Sequence, residues 1–221
     1  VTKFPDNEAA LEDQAYYRPG RLRFYDIVVL RLSNSLLWRC PTSELLRHYN
    51  RNVSAKHLDV GPGSGYYLDH CRFPETPSVS LLDLNPSPLE FVSRRISRYM
   101  PQKIVADICE PFAEFKGSFT SVALNYVMHC LPDEDGRREV AFANIRRFLA
   151  PGGVFFGSTI LGDRAPHSVI SRRINEKYNT MGAFYNKNDS VERLKELLSA
   201  EFEDYEVKLR GTVALFTATA T

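Results

Sequence analysis

Apolar and polar positions change period repeatedly along the middle of this chain. Short apolar runs are followed by longer segments in which apolar residues recur three or four apart. The runs predict strands at 55–60, 78–82, 103–106, 120–124 and 154–159, and the segments between them predict helices at 64–71, 87–99 and 136–149. Alternation at this interval predicts an α/β fold whose mainly parallel sheet is covered by helices on both faces, with ligands beyond the carboxyl ends of the strands. Ahead of the first strand, the dense apolar pattern at 21–37 and the stretch opened by Pro41-Thr42-Ser43-Glu44 predict two helices, which would form a cap at that end of the sheet. After the fifth strand the segment 160–188 is rich in Tyr, Asn and Arg, with a helix expected at 166–178. A helix at 189–200, capped by Asp189 or Ser190, precedes two strands, 202–209 and 212–219, around Arg210-Gly211. The total is seven strands.

Composition narrows the class. A length of 221 residues predicts one domain, and 43% hydrophobic residues suffice for a core. The net charge of +1 predicts no nucleic-acid partner. Basic pairs at Arg94-Arg95, Arg137-Arg138, Arg146-Arg147 and Arg172-Arg173 read as solvated helix faces. Cys40, Cys71, Cys109 and Cys130 are scattered, with no C-x-x-C spacing, so neither a metal site nor a disulfide framework is expected. No apolar run reaches membrane-span length and residues 1–14 do not read as a signal peptide. A cytoplasmic protein without a membrane partner is the expectation, its oligomeric state unspecified.

The stretch His57-Leu58-Asp59-Val60-Gly61-Pro62-Gly63-Ser64-Gly65-Tyr66 joins the first strand to the first helix of the core. Its spacing is D-x-G-x-G-x-G. Three alternating glycines weaken a chain unless something must approach the backbone closely. Tyr66 stands where a dinucleotide-binding G-x-G-x-x-G has its last glycine, which disfavours a nicotinamide dehydrogenase, and no P-loop Gly-Lys-Ser/Thr follows. With Asp83 at the end of the second strand, Asp107 after the third and the turn Phe148-Leu149-Ala150-Pro151-Gly152-Gly153, the order resembles the class I methyltransferases that use S-adenosylmethionine. The resemblance covers roughly residues 20–160. It implies a Rossmann-like seven-stranded sheet with an antiparallel C-terminal hairpin. In one unit, 1–52 would be the N-terminal helical cap, 53–160 the cofactor-binding core and 161–221 the acceptor-side insert and hairpin.

The resemblance also implies site roles. Asp83 would accept from the ribose hydroxyls of the cofactor, a charge-assisted pairing. Asp107 would receive the adenine amino group, the Ile108 amide a ring nitrogen, and Leu84 would flank the base. Asp59 and Gly61 would lie near the amino-acid tail, Gly63 and Gly65 would also contact the cofactor, and the Asn125 backbone carbonyl would meet the ammonium. Tyr25, in Arg23-Phe24-Tyr25-Asp26, resembles the Tyr-Asp of quinone C-methyltransferases, where it lies near the cofactor.

For the chemistry, His129 follows the fourth strand at the rim, where a base for a phenol or hydroxyl is wanted, and histidine titrates near neutrality. His167 is a second candidate base. Tyr16, Tyr17, Tyr126, Tyr178, Phe184 and Tyr185 supply rings for an apolar acceptor pocket. Of these, Tyr17, Tyr126, Tyr178 and Tyr185, with His129, are the expected substrate contacts. The expectation is methyl transfer to a small aromatic or apolar molecule of secondary metabolism, at oxygen before carbon. Alternatives are a protein of the same fold that binds the cofactor but transfers no methyl, or a methyltransferase acting on RNA or protein.

Overall fold

A computed structural model of the chain describes residues 33–112 and 116–221. Tyr16, Tyr17, Tyr25 and most of the expected first helix lie outside the described residues. Helix α1 (Thr42–Asn52) starts directly after Pro41 and carries Glu44 in its first turn. It packs on the sheet through the fully buried Leu45 and Tyr49.

Seven strands follow: β1 (Lys56–Val60), β2 (Ser78–Asp83), β3 (Gln102–Val105), β4 (Phe119–Asn125), β5 (Leu149–Ile160), β6 (Asp204–Arg210) and β7 (Val213–Thr219). Their order in the sheet is β3-β2-β1-β4-β5-β7-β6. Pairing is parallel from β3 to β5, and β7 runs antiparallel to both of its neighbours. The expected α/β class, strand count and C-terminal hairpin are all present. The remaining helices are α2 (Tyr66–His70), α3 (Pro86–Arg95), α4 (Arg137–Phe148), α5 (Val169–Thr180) and α6 (Val191–Glu201). Asn85 caps α3 by accepting from the Ser87 amide, with Pro86 in the first turn.

Successive strand residues face opposite sides of the sheet, so each strand feeds two cores. Leu58, Val60, Val122, Leu124 and Phe155 meet Phe142, Ile145, Phe148, Leu194 and Leu198 of α4 and α6. Val79, Leu81, Ala123 and Phe156 meet Tyr49, Leu68, Leu89 and Val92 of α1, α2 and α3. Each large apolar side chain fully buried in these layers contributes about 1.5–3 kcal/mol of transfer free energy.

One expectation needs revision. β5 begins at Leu149, not at 154, and runs through the Pro-Gly-Gly turn. Leu149 pairs with Phe119, while Gly152 and Gly153 bond to Ala220 across β7 (2.6 and 2.9 Å), so the turn residues are drawn into the sheet with a register shift on β4. Of the two caps expected for α6, Ser190 serves, while Asp189 pairs with Arg138. Among the described residues no helix is long and apolar enough to cross a membrane, and no cluster of metal-ligating side chains occurs.

Candidate active site

The glycine turn closes on itself through the Gly65 amide to the Pro62 carbonyl (2.8 Å), and the Gly61 amide bonds to the Leu82 carbonyl of β2 (2.8 Å). All three glycines have positive φ, where a side chain is strained. Their surroundings differ. A Cβ on Gly61 would lie 2.4 Å from Val127 and one on Gly65 2.7 Å from Val92, whereas one on Gly63 would meet nothing within 4 Å. Gly61 and Gly65 thus let neighbours pack, and Gly63 leaves a gap. A pocket opens here, lined by Asp59, the turn, Tyr66, Tyr67, Asn125 and Tyr126.

On the β4 side of this pocket, Asn125 Oδ1 accepts from the Ser158 hydroxyl (3.0 Å), while its Nδ2 is buried with no hydrogen-bond partner among the described residues. Tyr126 then adopts a left-handed backbone (φ +57°), a conformation that costs a non-glycine residue about 1–2 kcal/mol. Its amide is held by the Ser158 carbonyl (2.8 Å). A strained residue at the end of a strand, lining a pocket, is the pattern of a functional site.

The pocket floor is Asp59, 5% exposed. Its Oδ2 accepts from the Tyr49 hydroxyl of α1 (2.7 Å). Tyr49 Oη also meets His57 Nε2 (2.7 Å), and His57 Nδ1 meets the Ser121 hydroxyl (2.8 Å). Ser121 in turn accepts from the Ser54 amide (2.9 Å). The parallel register pairs His57 directly with Ser121, and both, like Asp59, point to the α1 face. Burial and the nearby Asp59 charge push the Tyr49 phenol well above its ordinary pKa, so it remains a donor.

At the β2–β3 edge, Asp83 Oδ1 accepts from the Asn85 amide (2.9 Å). Leu84 is 67% exposed, whereas the Ile108 side chain is buried in the core and leaves only its backbone for a ligand. The Asp107 carboxylate accepts from the Cys109 amide (2.9 Å) and from Arg137 Nη2 (2.6 Å). Asn144 donates to the Ile108 and Glu110 carbonyls (2.9 and 2.7 Å), fixing this loop to α4.

The rim beyond β4 is aromatic. Rings run in contact from Tyr126 to His129 (centroids 5.8 Å), from His129 to Phe184 (4.5 Å) and from Phe184 to Tyr178 (4.9 Å). Tyr178 and Tyr185 are partly exposed, and the Tyr185 amide bonds to the His129 carbonyl (2.8 Å). His129 is 2% exposed, and burial with the neighbouring Arg138 charge pushes its pKa down to about 3. Its Nδ1 accepts from the Ile160 amide (3.3 Å). The neutral ring therefore carries its proton on Nε2 and has no open lone pair. The nitrogen that a general base would use is thus engaged by the backbone in this geometry. His167 differs: its Nε2 meets the Leu161 and Gly162 carbonyls (3.0 Å each), so it carries the proton there, and its Nδ1 is buried without a partner among the described residues.

Several residues that shape the rim escaped the sequence reading. Arg138 is not on a solvated face but fully buried. It donates to Asp189 (2.5 Å) and to the Leu131 and Tyr185 carbonyls (2.8 and 3.0 Å). Burial pushes the Asp189 pKa up to about 6, against the lowering by Arg138. Asn186, also fully buried, donates to the Ile160 carbonyl and to Asn175 (3.0 Å each). The segment between β5 and α6 is closed at its base by the Gly162 amide to Asp189 (2.9 Å) and the Asp163 amide to Lys187 (3.1 Å). These partners are distant in sequence and carry no local signature.

Sheet order, acid-edged glycine turn and aromatic rim together define a nucleotide-cofactor transferase of the methyltransferase type. The family described as a methyltransferase domain matches residues 58–157. Demethylluteothin O-methyltransferase of Streptomyces thioluteus is 30% identical over 216 residues, covering 97% of this chain and 94% of that protein. The physcion biosynthesis cluster O-methyltransferase of Aspergillus chevalieri is 34% identical over 206 residues, covering 92% and 93%. Among solved structures, Haemonchus contortus phosphoethanolamine N-methyltransferase 2, in complex with phosphomonomethylethanolamine and S-adenosylhomocysteine, shares the fold. Its TM-score is 0.67 at 21% identity, over 93% of this chain and 47% of that one, so this chain spans about half its length. The chain belongs to the class I S-adenosylmethionine-dependent methyltransferases, and S-adenosylmethionine is its cofactor. The gap beside Gly63 and the unpartnered Asn125 amide fit such a ligand.

Proposed function

We propose that the protein methylates the oxygen of a small aromatic or apolar metabolite, with carbon as the second choice of acceptor atom. The observation that carries this reading is the unbroken line of rings from Tyr126 through His129 and Phe184 to Tyr178, which starts at the cofactor pocket. The names of the two relatives, both O-methyltransferases, support it. In one unit, residues 1–52 serve as the cap, 53–160 hold the cofactor and 161–221 carry the acceptor side.

Within that reading Asp83 takes the ribose, Asp107 and the Ile108 amide take the adenine, and Leu84 flanks it. Asp59, Gly61 and Asn125 take the amino-acid end, and Gly63 and Gly65 line the rest of the cofactor's path. Among the described residues, Tyr126, Tyr178 and Tyr185 contact the acceptor. The cofactor supplies an electrophilic methyl group on a sulfonium. The protein's own share is to hold the acceptor close and in line. His129 contributes as the floor of the acceptor site, since its lone pair is engaged and its pKa is pushed down to about 3. The acceptor hydroxyl is then one that ionises readily by itself, a phenol or an enol.

The test is the pH dependence of turnover with S-adenosylmethionine and a series of phenols of graded acidity, with products identified by mass and NMR. The rate should rise with ionisation of each phenol, and His129→Asn should lower turnover without moving that profile. A profile that ignores the phenol and loses a limb near pH 6.5 in the His129 variant would restore His129 as the base. Loss of that limb in His167→Ala would give the role to His167, whose buried Nδ1 has no hydrogen-bond partner among the described residues. Carbon-methylated product, or methylation of RNA or protein alone, would overturn the acceptor reading.

A further inference from the structure

We propose that Tyr49 and His57 are positioning residues that aim the Asp59 carboxylate at the amino-acid end of the cofactor. The inference rests on the placement of Asp59 given above, and adds to it a relay of side chains behind the pocket.

The direction of the relay follows from valence. An ionised carboxylate only accepts, so the single proton of the Tyr49 hydroxyl goes to Asp59 Oδ2 (2.7 Å). Tyr49 Oη must then accept from His57 Nε2–H (2.7 Å). In a neutral His57 ring Nδ1 then accepts the Ser121 hydroxyl proton (2.8 Å), and the Ser121 oxygen accepts from the Ser54 amide, a donor that cannot reverse (2.9 Å). Every link points the same way, from backbone to carboxylate. Tyr49, His57 and Ser121 are each 0% exposed, which strengthens each bond and makes each member costly to leave unpaired.

The relay also spans three separate parts of the fold. Tyr49 belongs to α1, His57 and Asp59 to β1 and Ser121 to β4. The His57 ring is packed edge-on against Tyr49 (5.6 Å) and stacked near Phe156 (6.0 Å), so it has little freedom to turn. Oδ2 is thereby occupied, while Oδ1 receives no hydrogen bond from a described residue and belongs to a carboxylate that lines the pocket. The geometry holds one oxygen to the scaffold and presents the other to a cationic group, the ammonium of the cofactor tail.

A ligand pair isolates this role. S-adenosylhomocysteine carries the ammonium, and 5′-methylthioadenosine carries the same nucleoside without the amino-acid tail. Calorimetry on the full chain should show Tyr49→Phe weakening S-adenosylhomocysteine by roughly ten- to a hundredfold, the scale of a lost bond to a charged group. It should leave 5′-methylthioadenosine within about twofold, because the contacts to the base and ribose are untouched. Equal weakening of both ligands would mean general damage to the pocket, and no change in either would remove the relay. Should Tyr49→Phe not fold, Ser121→Ala tests the same relay from its far end. A loss of about three- to tenfold confined to S-adenosylhomocysteine supports it, and unchanged affinity for both ligands overturns it. Asp59→Asn separates the two levels of inference. If that variant binds S-adenosylhomocysteine as well as the natural chain does, the placement of Asp59 itself is wrong. If Asp59→Asn weakens binding while Tyr49→Phe does not, only the relay fails.

Discussion

Removing the Arg138 guanidinium should destabilise the protein far more at pH 8 than at pH 5. Arg138 is fully buried, and its charge is balanced mainly by Asp189 at 2.5 Å, with Asp133 at 3.7 Å. Arg138→Met keeps most of the side-chain volume and deletes the charge. At pH 8 Asp189 is ionised and the variant strands it in the core, which for a broken buried pair amounts to about 3–5 kcal/mol. At pH 5 Asp189 is already largely protonated in the natural chain, because burial has raised its pKa to about 6. The pair then has little charge to lose, and the cost should shrink to about 1–3 kcal/mol, chiefly for the Leu131 and Tyr185 carbonyls left without a donor. The sign for the natural chain follows from linkage. The folded state takes up the Asp189 proton at higher pH than the unfolded chain, so this group's contribution to stability falls as pH rises from about 4 to about 6 and is flat above. Urea unfolding of both proteins at pH 5, 6.5 and 8 measures the difference. Equal destabilisation at all three values would refute the charge coupling between Arg138 and Asp189.

Other parts of the site make separate predictions. Asp83→Ala should weaken S-adenosylmethionine binding by about 1.5–3 kcal/mol in calorimetry, and unchanged affinity would end the ribose assignment. Gly65→Ala should lower the melting temperature sharply, since strain at φ +72° is joined by a Cβ 2.7 Å from Val92. Gly63→Ala should cost stability only about 1–2 kcal/mol for its positive φ, yet weaken cofactor binding, because its Cβ enters empty space at the pocket. A Gly63 variant that binds normally would show that the gap is not a ligand contact.

Much of the fold was legible in the chain because its signals are local. Leu58 and Val60 alternate with polar neighbours, the glycines mark the turn, and Asn85-Pro86 announces α3. The positions of Asp83 and Asp107 were legible because Asp83 ends β2 and Asp107 comes just after β3. What was not legible depends on pairing across long separations. Pro151-Gly152-Gly153 reads as a stop, and only Phe119 and Ala220 explain why β5 starts earlier. Arg138 sits beside Arg137 in a helix and looked solvated; its burial is decided by Asp189, fifty-one residues on. The neighbourhood of His129 at the rim could be read from the chain, but the Ile160 amide that engages its Nδ1 comes from β5, thirty-one residues on. The role of His57 likewise depends on Tyr49 and on Ser121, sixty-four residues away.

The clasp at the root of the segment between β5 and α6 has an evolutionary consequence. Gly162 and Asp189 meet through their backbones, so the chain leaves the sheet and returns to nearly the same place. An excursion closed in this way can lengthen or change content with little effect on the rest: doubling its length adds only about 0.6 kcal/mol of closure entropy. On the proposed acceptor role, the part of the segment that carries Tyr178 and Phe184 could change to suit other acceptors while the strands that carry Asp59 and Asp83 stay as they are, provided that the Tyr185 and Asp189 bonds to the core are kept.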